Sequence, residues 1–168
     1  MNYWFREQMA MYMACHSDVR NCATHYVGVP MILFSLLVAL SALHLGQLGN
    51  LPITLAAVLL MILLVLYLSA VPLLGFVATV VHVPLLLYAH AVARDSASIW
   101  VIVSVCFVGG WIIQFIGHLF EGRRPALIDN FLQVLIAPGF LVAEALFACC
   151  LLSELRVDLD SRSRKYKK

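Results

Sequence analysis

Six histidines are the residues of this chain best suited to chemistry: His16, His25, His44, His82, His90 and His118. Three of them stand in informative company. Ser17 and Asp18 are good helix N-caps, so a helix is predicted to begin there and to leave His16 in the loop before it. Asn21 and His25 are then i and i+4 on one helical face, and His16 can fold back toward them. Farther on, Gln114, His118 and Glu121 follow i, i+4, i+7, which is a single helical stripe. Imidazole and carboxylate are the ligands of open-sided non-haem iron sites and of many zinc sites. Asn21 and Gln114 are suited to hold ring N–H groups behind such ligands. Spacing alone leaves a second reading equally open, a set of polar helix ends hydrogen-bonded to one another.

The elements that would position these residues are apolar helices. About 20 apolar residues cross the hydrocarbon core of a bilayer, and four runs are that long: Val27–Leu48, Leu51–Ala70, Val71–Ala93 and Ile99–Phe120. Gly46, Gly49-Asn50, Pro52, Pro72, Gly75 and Arg94-Asp95-Ser96 punctuate them. A fifth stretch, Ala126–Leu152, carries Asp129, Asn130, Gln133 and Glu144, and Pro138-Gly139 is predicted to break it into two halves too short to span. The expected fold is therefore an all-α integral membrane bundle of four spanning helices plus a broken re-entrant or interfacial hairpin, in one domain over 1–168. One full span over Ala126–Leu152 is the rival topology. Residues 1–17 form an interfacial segment, with Tyr3, Trp4, Phe5, Met9, Met11 and Tyr12 on a short amphipathic helix. Residues 153–168 form a solvated basic tail.

Composition supports that frame. The 168 residues are 63% hydrophobic and 12% charged, against about 45–50% and about 25% in ordinary soluble domains. A soluble protein this small has too little interior for so much apolar surface. No Lys, Arg, Asp or Glu occurs between Val27 and Ala93, whereas six basic residues crowd Arg156–Lys168. Under the positive-inside rule that tail marks the cytosolic side. Four spans and a hairpin put the N-terminus there too, with His16, His25 and His118 at one membrane boundary, His44 and His90 near the other, and His82 at mid-depth. Nucleic acid is excluded as a partner, because no basic face is interleaved with aromatics. The five cysteines show no metal-binding or redox spacing and read as reduced thiols. The N-terminus does not read as a signal peptide.

Two motifs carry a resemblance. The stretch from His16 through Asn21, His25 and Gly28 to Pro30 resembles the first motif of a family of small membrane proteins that includes the yeast 2-hydroxy fatty acid dioxygenase of fatty-acid α-oxidation. Trp111-Ile-Ile-Gln114-Phe-Ile-Gly117-His118-Leu-Phe-Glu121-Gly-Arg-Arg-Pro125 resembles the second, continuing through Asp129-Asn130 to Ala137-Pro138 and Glu144. Val19 stands where relatives usually carry proline, a residue favoured but not required at the first helical position. The resemblance implies that His16, His25 and His118 serve an Fe(II) centre, to which Glu121 is added as a fourth ligand or a base. It implies an oxidative decarboxylation in which a 2-hydroxy fatty acid and O2 give a fatty acid one carbon shorter, with loss of CO2. Arg123 and Arg124 are candidates to clamp the substrate carboxylate bidentately; topology signals, or partners for Glu121 and Asp129, are the alternative roles.

Other classes fit less well. Di-iron lipid hydroxylases and desaturases use clustered histidine boxes, which are absent. A membrane scaffold or lipid-binding protein with structural histidines is the non-enzymatic alternative. A transporter lacks charge at mid-depth except around His82. Oligomeric state is not legible. The compartment is a bacterial inner membrane or an endoplasmic reticulum membrane, and Lys165-Tyr166-Lys167-Lys168 does not match a dilysine retrieval pattern, which favours the bacterial case.

Overall fold

The computed structural model describes residues 3–49, 51–95, 97–122 and 130–166. Helix α1 spans Tyr3–Ala14 and α2 spans Val19–Ser41; strands β1 (His44–Leu48) and β2 (Leu51–Thr54) form a hairpin. Four more elements complete the bundle's core: α3 (Leu55–Ala70), α4 (Pro72–Asp95), α5 (Ile99–Glu121) and α6 (Gln133–Ala148). A last helix, α7 (Ser153–Ser163), follows.

The chain is helical, as its composition requires, and α2, α4 and α5 are each 23 or 24 residues long and apolar enough to cross a membrane. The limits of the first two predicted spans move. Helix α2 starts at Val19, before the apolar run itself, because Asp18 caps it as the sequence predicts, its side chain accepting from the Arg20 N–H at 2.8 Å. It stops at Ser41, and the residues predicted to prolong it form β1. Gly49, at φ +60°, supplies the left-handed turn that closes the antiparallel hairpin. Thr54 then caps α3, its Oγ1 accepting from the Ala57 N–H. With 16 residues, α3 is about 24 Å long, shorter than a full hydrocarbon core. The Leu55 N–H donates to the Leu43 carbonyl at one end, and Tyr67 reaches α6 at the other.

The predicted break at Pro138-Gly139 does not occur: α6 is one helix from Gln133 to Ala148. The reason lies in α3. The buried Tyr67 hydroxyl is inserted into the α6 hydrogen-bond ladder, accepting from the Gly139 N–H at 3.0 Å and donating to the Leu135 carbonyl at 2.5 Å. A side chain so inserted keeps both backbone groups paired beside a proline. Gly139 is required here, since a Cβ would collide with the Tyr67 ring.

Helix α1 packs one face against the bundle. Phe5, Met9, Ala10 and Tyr12 are buried against protein, and Tyr3 and Trp4 are its exposed aromatics. The basic tail forms α7, which docks on α1 through Leu155 and Leu159 and through ion pairs of Asp158 with Arg6 and of Arg162 with Glu7. Both ends of the described chain therefore lie together. Helices α2 and α5 pack closely enough that a Cβ on Gly117 would overlap the Thr24 hydroxyl, the close approach that small residues permit in membrane bundles.

Candidate metal centre

Loop, cap and helix end bring three imidazoles together. His16 closes the loop after α1, His25 lies two turns into α2, and His118 lies one turn before the end of α5. One ring nitrogen of each falls within 4.8 Å of the others, and all three residues are buried. The His16 Nδ1–H donates to the Tyr12 carbonyl at 2.6 Å, and the His25 Nδ1–H donates to the Asn21 carbonyl at 2.8 Å. A carbonyl can only accept, so both rings are fixed in the tautomer that leaves Nε2 as a lone pair. Those two Nε2 atoms face each other at 3.0 Å. Tyr12 stacks on His16 at 3.9 Å between centroids with an interplanar angle of 5°, fixing that ring further.

The donor set fits a cation. Adjacent ligand nitrogens about 2.0–2.1 Å from a common ion stand roughly 3–3.4 Å apart, and the His16–His25 separation lies in that range. His118 Nδ1 is buried with no hydrogen-bond partner among the described residues. A proton shared among the rings is opposed by their surroundings. Burial, and then the neighbouring His25, push His16 down to about 3, only partly offset by its bond to Tyr12.

Glu121 sits beside the trio, but its oxygens are engaged elsewhere. They accept from the Ser17 N–H at 3.0 and 3.1 Å, from the Ser17 hydroxyl, from the Asp18 N–H at 2.8 Å and from Asn21 Nδ2 at 3.0 Å. A carboxylate from the end of α5 thus binds the start of α2, where unpaired N–H groups and the helix dipole favour negative charge. Asn21 Nδ2 also donates to the Cys15 carbonyl at 3.1 Å, closing the loop that carries His16. The Asn21 group that orients His25 is therefore its backbone carbonyl, not its side chain. Gln114 faces His25 from α5. Arg123, Arg124 and Asp129 lie outside the described residues.

A cavity of about 290 Å³ opens from the imidazoles between α2, α5 and α6. Val29, Ile32, Leu33 and Leu36 continue the His25 face of α2, and Phe107, Trp111 and Gln114 continue the His118 face of α5. Eleven helical rises, from His25 to Leu36, give it a wall about 16 Å long, almost wholly apolar. On the other side of His16 lies a cleft of mixed character, bordered by Ser17, Tyr26, Glu144 and Arg156 and by Met13 and Phe147. His16 is a wall of both.

A buried trio of imidazoles at the head of an apolar slot is the geometry on which the comparisons with known proteins bear. Residues 3–149 match the family model described as 2-hydroxy-palmitic acid dioxygenase Mpo1-like. The chain belongs to this family. A curated relative, the 2-hydroxy-palmitic acid dioxygenase MPO1 of Saccharomyces cerevisiae, is 32% identical over 158 residues, covering 92% of this chain and 87% of the yeast protein. No solved structure matches. Within this Mpo1-like chain, the three histidines singled out by spacing meet, whereas His44, His82 and His90 stay apart from them. Spacing had not singled out Tyr12, yet it was within reach: four residues before His16, its carbonyl is where a helical turn would deliver it.

Proposed function

We propose that the chain is an Fe(II)-dependent dioxygenase that converts a 2-hydroxy fatty acid and O2 into a fatty acid one carbon shorter. The observation that carries this reading is the position of His16, His25 and His118 at the head of the apolar cavity. Family membership supports the substrate class, since the yeast relative is named for 2-hydroxy-palmitic acid.

The stoichiometry closes without an external reductant. R–CH(OH)–COOH and O2 give R–COOH, CO2 and H2O; the bond between C1 and C2 breaks, C2 is oxidised to a carboxyl carbon, and O2 takes up four electrons. His16, His25 and His118 would hold the iron, which when bound supplies the redox chemistry with O2 and a Lewis-acid seat for a hydroxy carboxylate. The chain's own residues do the rest. The cavity between α2, α5 and α6 takes the alkyl tail and excludes water from the head. The Tyr12 and Asn21 carbonyls keep His16 and His25 in the ligating tautomer. Glu121 is assigned as a positioning residue that clasps the His16 loop to α5. Arg123 and Arg124, which follow Gly122 in sequence, are assigned to the substrate carboxylate, and the cleft beyond His16 gives the aqueous side for CO2 and water to leave.

The same reading sets the chain in a bilayer, with α3 as a fourth crossing between α2 and α4. The joined ends, α1 and α7, lie at the cytosolic face by the positive-inside rule. The membrane is a bacterial inner membrane or the endoplasmic reticulum.

The test is metal content and O2 uptake with 2-hydroxyhexadecanoate, in detergent-purified wild type beside His118→Ala. Near-stoichiometric iron and O2 consumption that both vanish in the variant are expected. Zinc in its place would redirect the chemistry. No metal after anaerobic Fe(II) reconstitution would leave a lipid-binding protein with structural histidines, in which an added proton is shared between the His16 and His25 Nε2 atoms.

A further inference from the structure

The cavity wall holds a buried amide that the site chemistry leaves unused. Gln133, at the start of α6, is 1% exposed and lines the cavity. Its Oε1 is buried with no hydrogen-bond partner among the described residues. The assignment of oxygen and nitrogen in that amide follows from its neighbours. The Leu132 backbone N–H, which can only donate, bonds to Asn130 Oδ1 at 3.0 Å. Asn130 therefore turns Nδ2 toward Gln8, whose Oε1 accepts at 2.7 Å. The same Gln8 oxygen requires a donor from Gln133, so Gln133 Nε2 points to it at 2.7 Å, with Met11 Sδ beside it at 3.5 Å. A backbone N–H thus fixes three amides in turn, and the end of the chain is an oriented acceptor with nothing to accept.

Its place along the slot is set by α1. Gln8 precedes Tyr12 by four residues, about 6 Å along the helix, and Tyr12 is stacked on His16. The Gln133 amide therefore lies about one helical turn from the imidazoles. There it meets the part of an acyl ligand next to its head group rather than the middle of the tail.

We infer that Gln133 Oε1 accepts a hydrogen bond from the hydroxyl of the acyl ligand and so selects hydroxylated over plain fatty acids. The inference rests on the proposed function for the identity of the ligand. A buried acceptor discriminates strongly because an analogue without the O–H leaves it unpaired. The alkyl slot alone cannot make that distinction, since both acids fill it equally.

The test is binding, free of turnover. Purified protein is titrated without O2, as isolated and again after metal chelation, with 2-hydroxyhexadecanoate, hexadecanoate and 2-fluorohexadecanoate. Tryptophan fluorescence reports occupancy, Trp111 being a wall residue. Chelated wild type is expected to prefer the hydroxy acid about tenfold, with the fluoro acid, which has no O–H, binding no better than hexadecanoate. Gln133→Leu should bring the ratio close to one by weakening the hydroxy acid while hexadecanoate binds as well or better. A variant that weakens both acids alike, or keeps the ratio, overturns the inference. So does a fluoro acid that binds wild type as tightly as the hydroxy acid, an outcome readable even if Gln133→Leu does not fold. A tenfold preference in wild type that is lost in Gln133→Leu, in a protein that consumes no O2, would instead refute the proposed function and leave the selectivity standing.

Discussion

The two ends of the bundle each bring histidines together, and they do so in different ways. At one end His16, His25 and His118 are buried, two of the rings are aimed by backbone carbonyls, and a carboxylate clasps the loop that carries the first. At the other, His44 on β1 and His90 on α4 approach with ring centroids 6.1 Å apart in a T-shaped contact. His44 is exposed, His90 is half-buried, and no hydrogen bond among the described residues holds either ring. Proximity is common to both ends. What separates them is that the first pair of rings has lost the freedom to turn away, so lone pairs converge whether or not anything lies between them. Preorganisation of that kind, rather than histidine count, distinguishes a ligand set from a chance encounter.

The largest effects should come from breaking one end and leaving the other. His16→Ala, His25→Ala and His118→Ala each remove a proposed ligand and should lower metal affinity by more than about 100-fold, beyond the usual effect of losing an outer partner. His44→Ala and His90→Ala should leave metal content and O2 uptake within about twofold of wild type. Metal analysis of the five variants side by side is the measurement. Loss of iron in the His44 variant would reverse the assignment of the two ends.

Next in size is the clasp. Glu121→Ala leaves the Ser17 and Asp18 N–H groups and Asn21 Nδ2 without their acceptor. Hydrogen bonds to a charged group contribute about 1.5–3 kcal/mol, and removing support behind a ligand lowers metal affinity about 10–100-fold. A lower melting temperature in detergent with weakened, not abolished, iron binding is expected. Complete loss of iron at unchanged stability would instead make Glu121 a ligand. The far end supplies the control. Asp95 pairs with Arg94 on the exposed end of α4, and Asp95→Asn should not shift the melting temperature measurably.

Much of the first end was legible from residue types alone. Ser17-Asp18 announced a cap, the cap put His16 in a loop, and i, i+4 spacing put Asn21 behind His25. Each is a local rule, and local rules survive tertiary packing when every neighbour obeys them. The failures lie where a distant residue overrides a local signal. Pro138-Gly139 is a helix breaker by itself, but Tyr67, on another helix, takes over the backbone groups it would have freed. The stretch His44–Leu48 is apolar enough to prolong α2, yet Gly49 and Pro52 favour a hairpin that hydropathy does not register.

Tyr67 offers the next smaller test. Tyr67→Phe keeps the ring in the core but removes the bridge between Gly139 and Leu135. An unsatisfied buried backbone group costs about 1–3 kcal/mol, so a lower melting temperature and faster amide exchange at Gly139 are expected, with metal content unchanged because none of the proposed ligands sits on α6. An undisturbed Gly139 amide would mean that α6 tolerates its proline without help.

The smallest effect concerns the docking of α7 on α1, the contact that brings the two ends of the described chain to the metal-centre side. The Tyr166 hydroxyl, then Arg162 and Lys165, hold the Glu7 carboxyl below its ordinary value, against an opposing effect of burial. A carboxylate with a lowered folded value adds stability that is fully present above the ordinary value near 4.5 and is lost as pH falls through the folded one. Partly exposed pairs of this sort contribute about 0.2–1 kcal/mol. Limited proteolysis at the α7 arginines should therefore be slow and pH-independent from neutrality to about 5, then accelerate as Glu7 takes up its proton. Glu7→Gln should accelerate it at neutral pH and flatten the profile. Metal content should stay constant throughout the range above 5, since the imidazole trio draws its geometry from α1, α2 and α5 and none from α7. Iron released in step with α7 would show instead that the tail is part of the site's support, joining to the centre a contact now assigned to the bundle's edge.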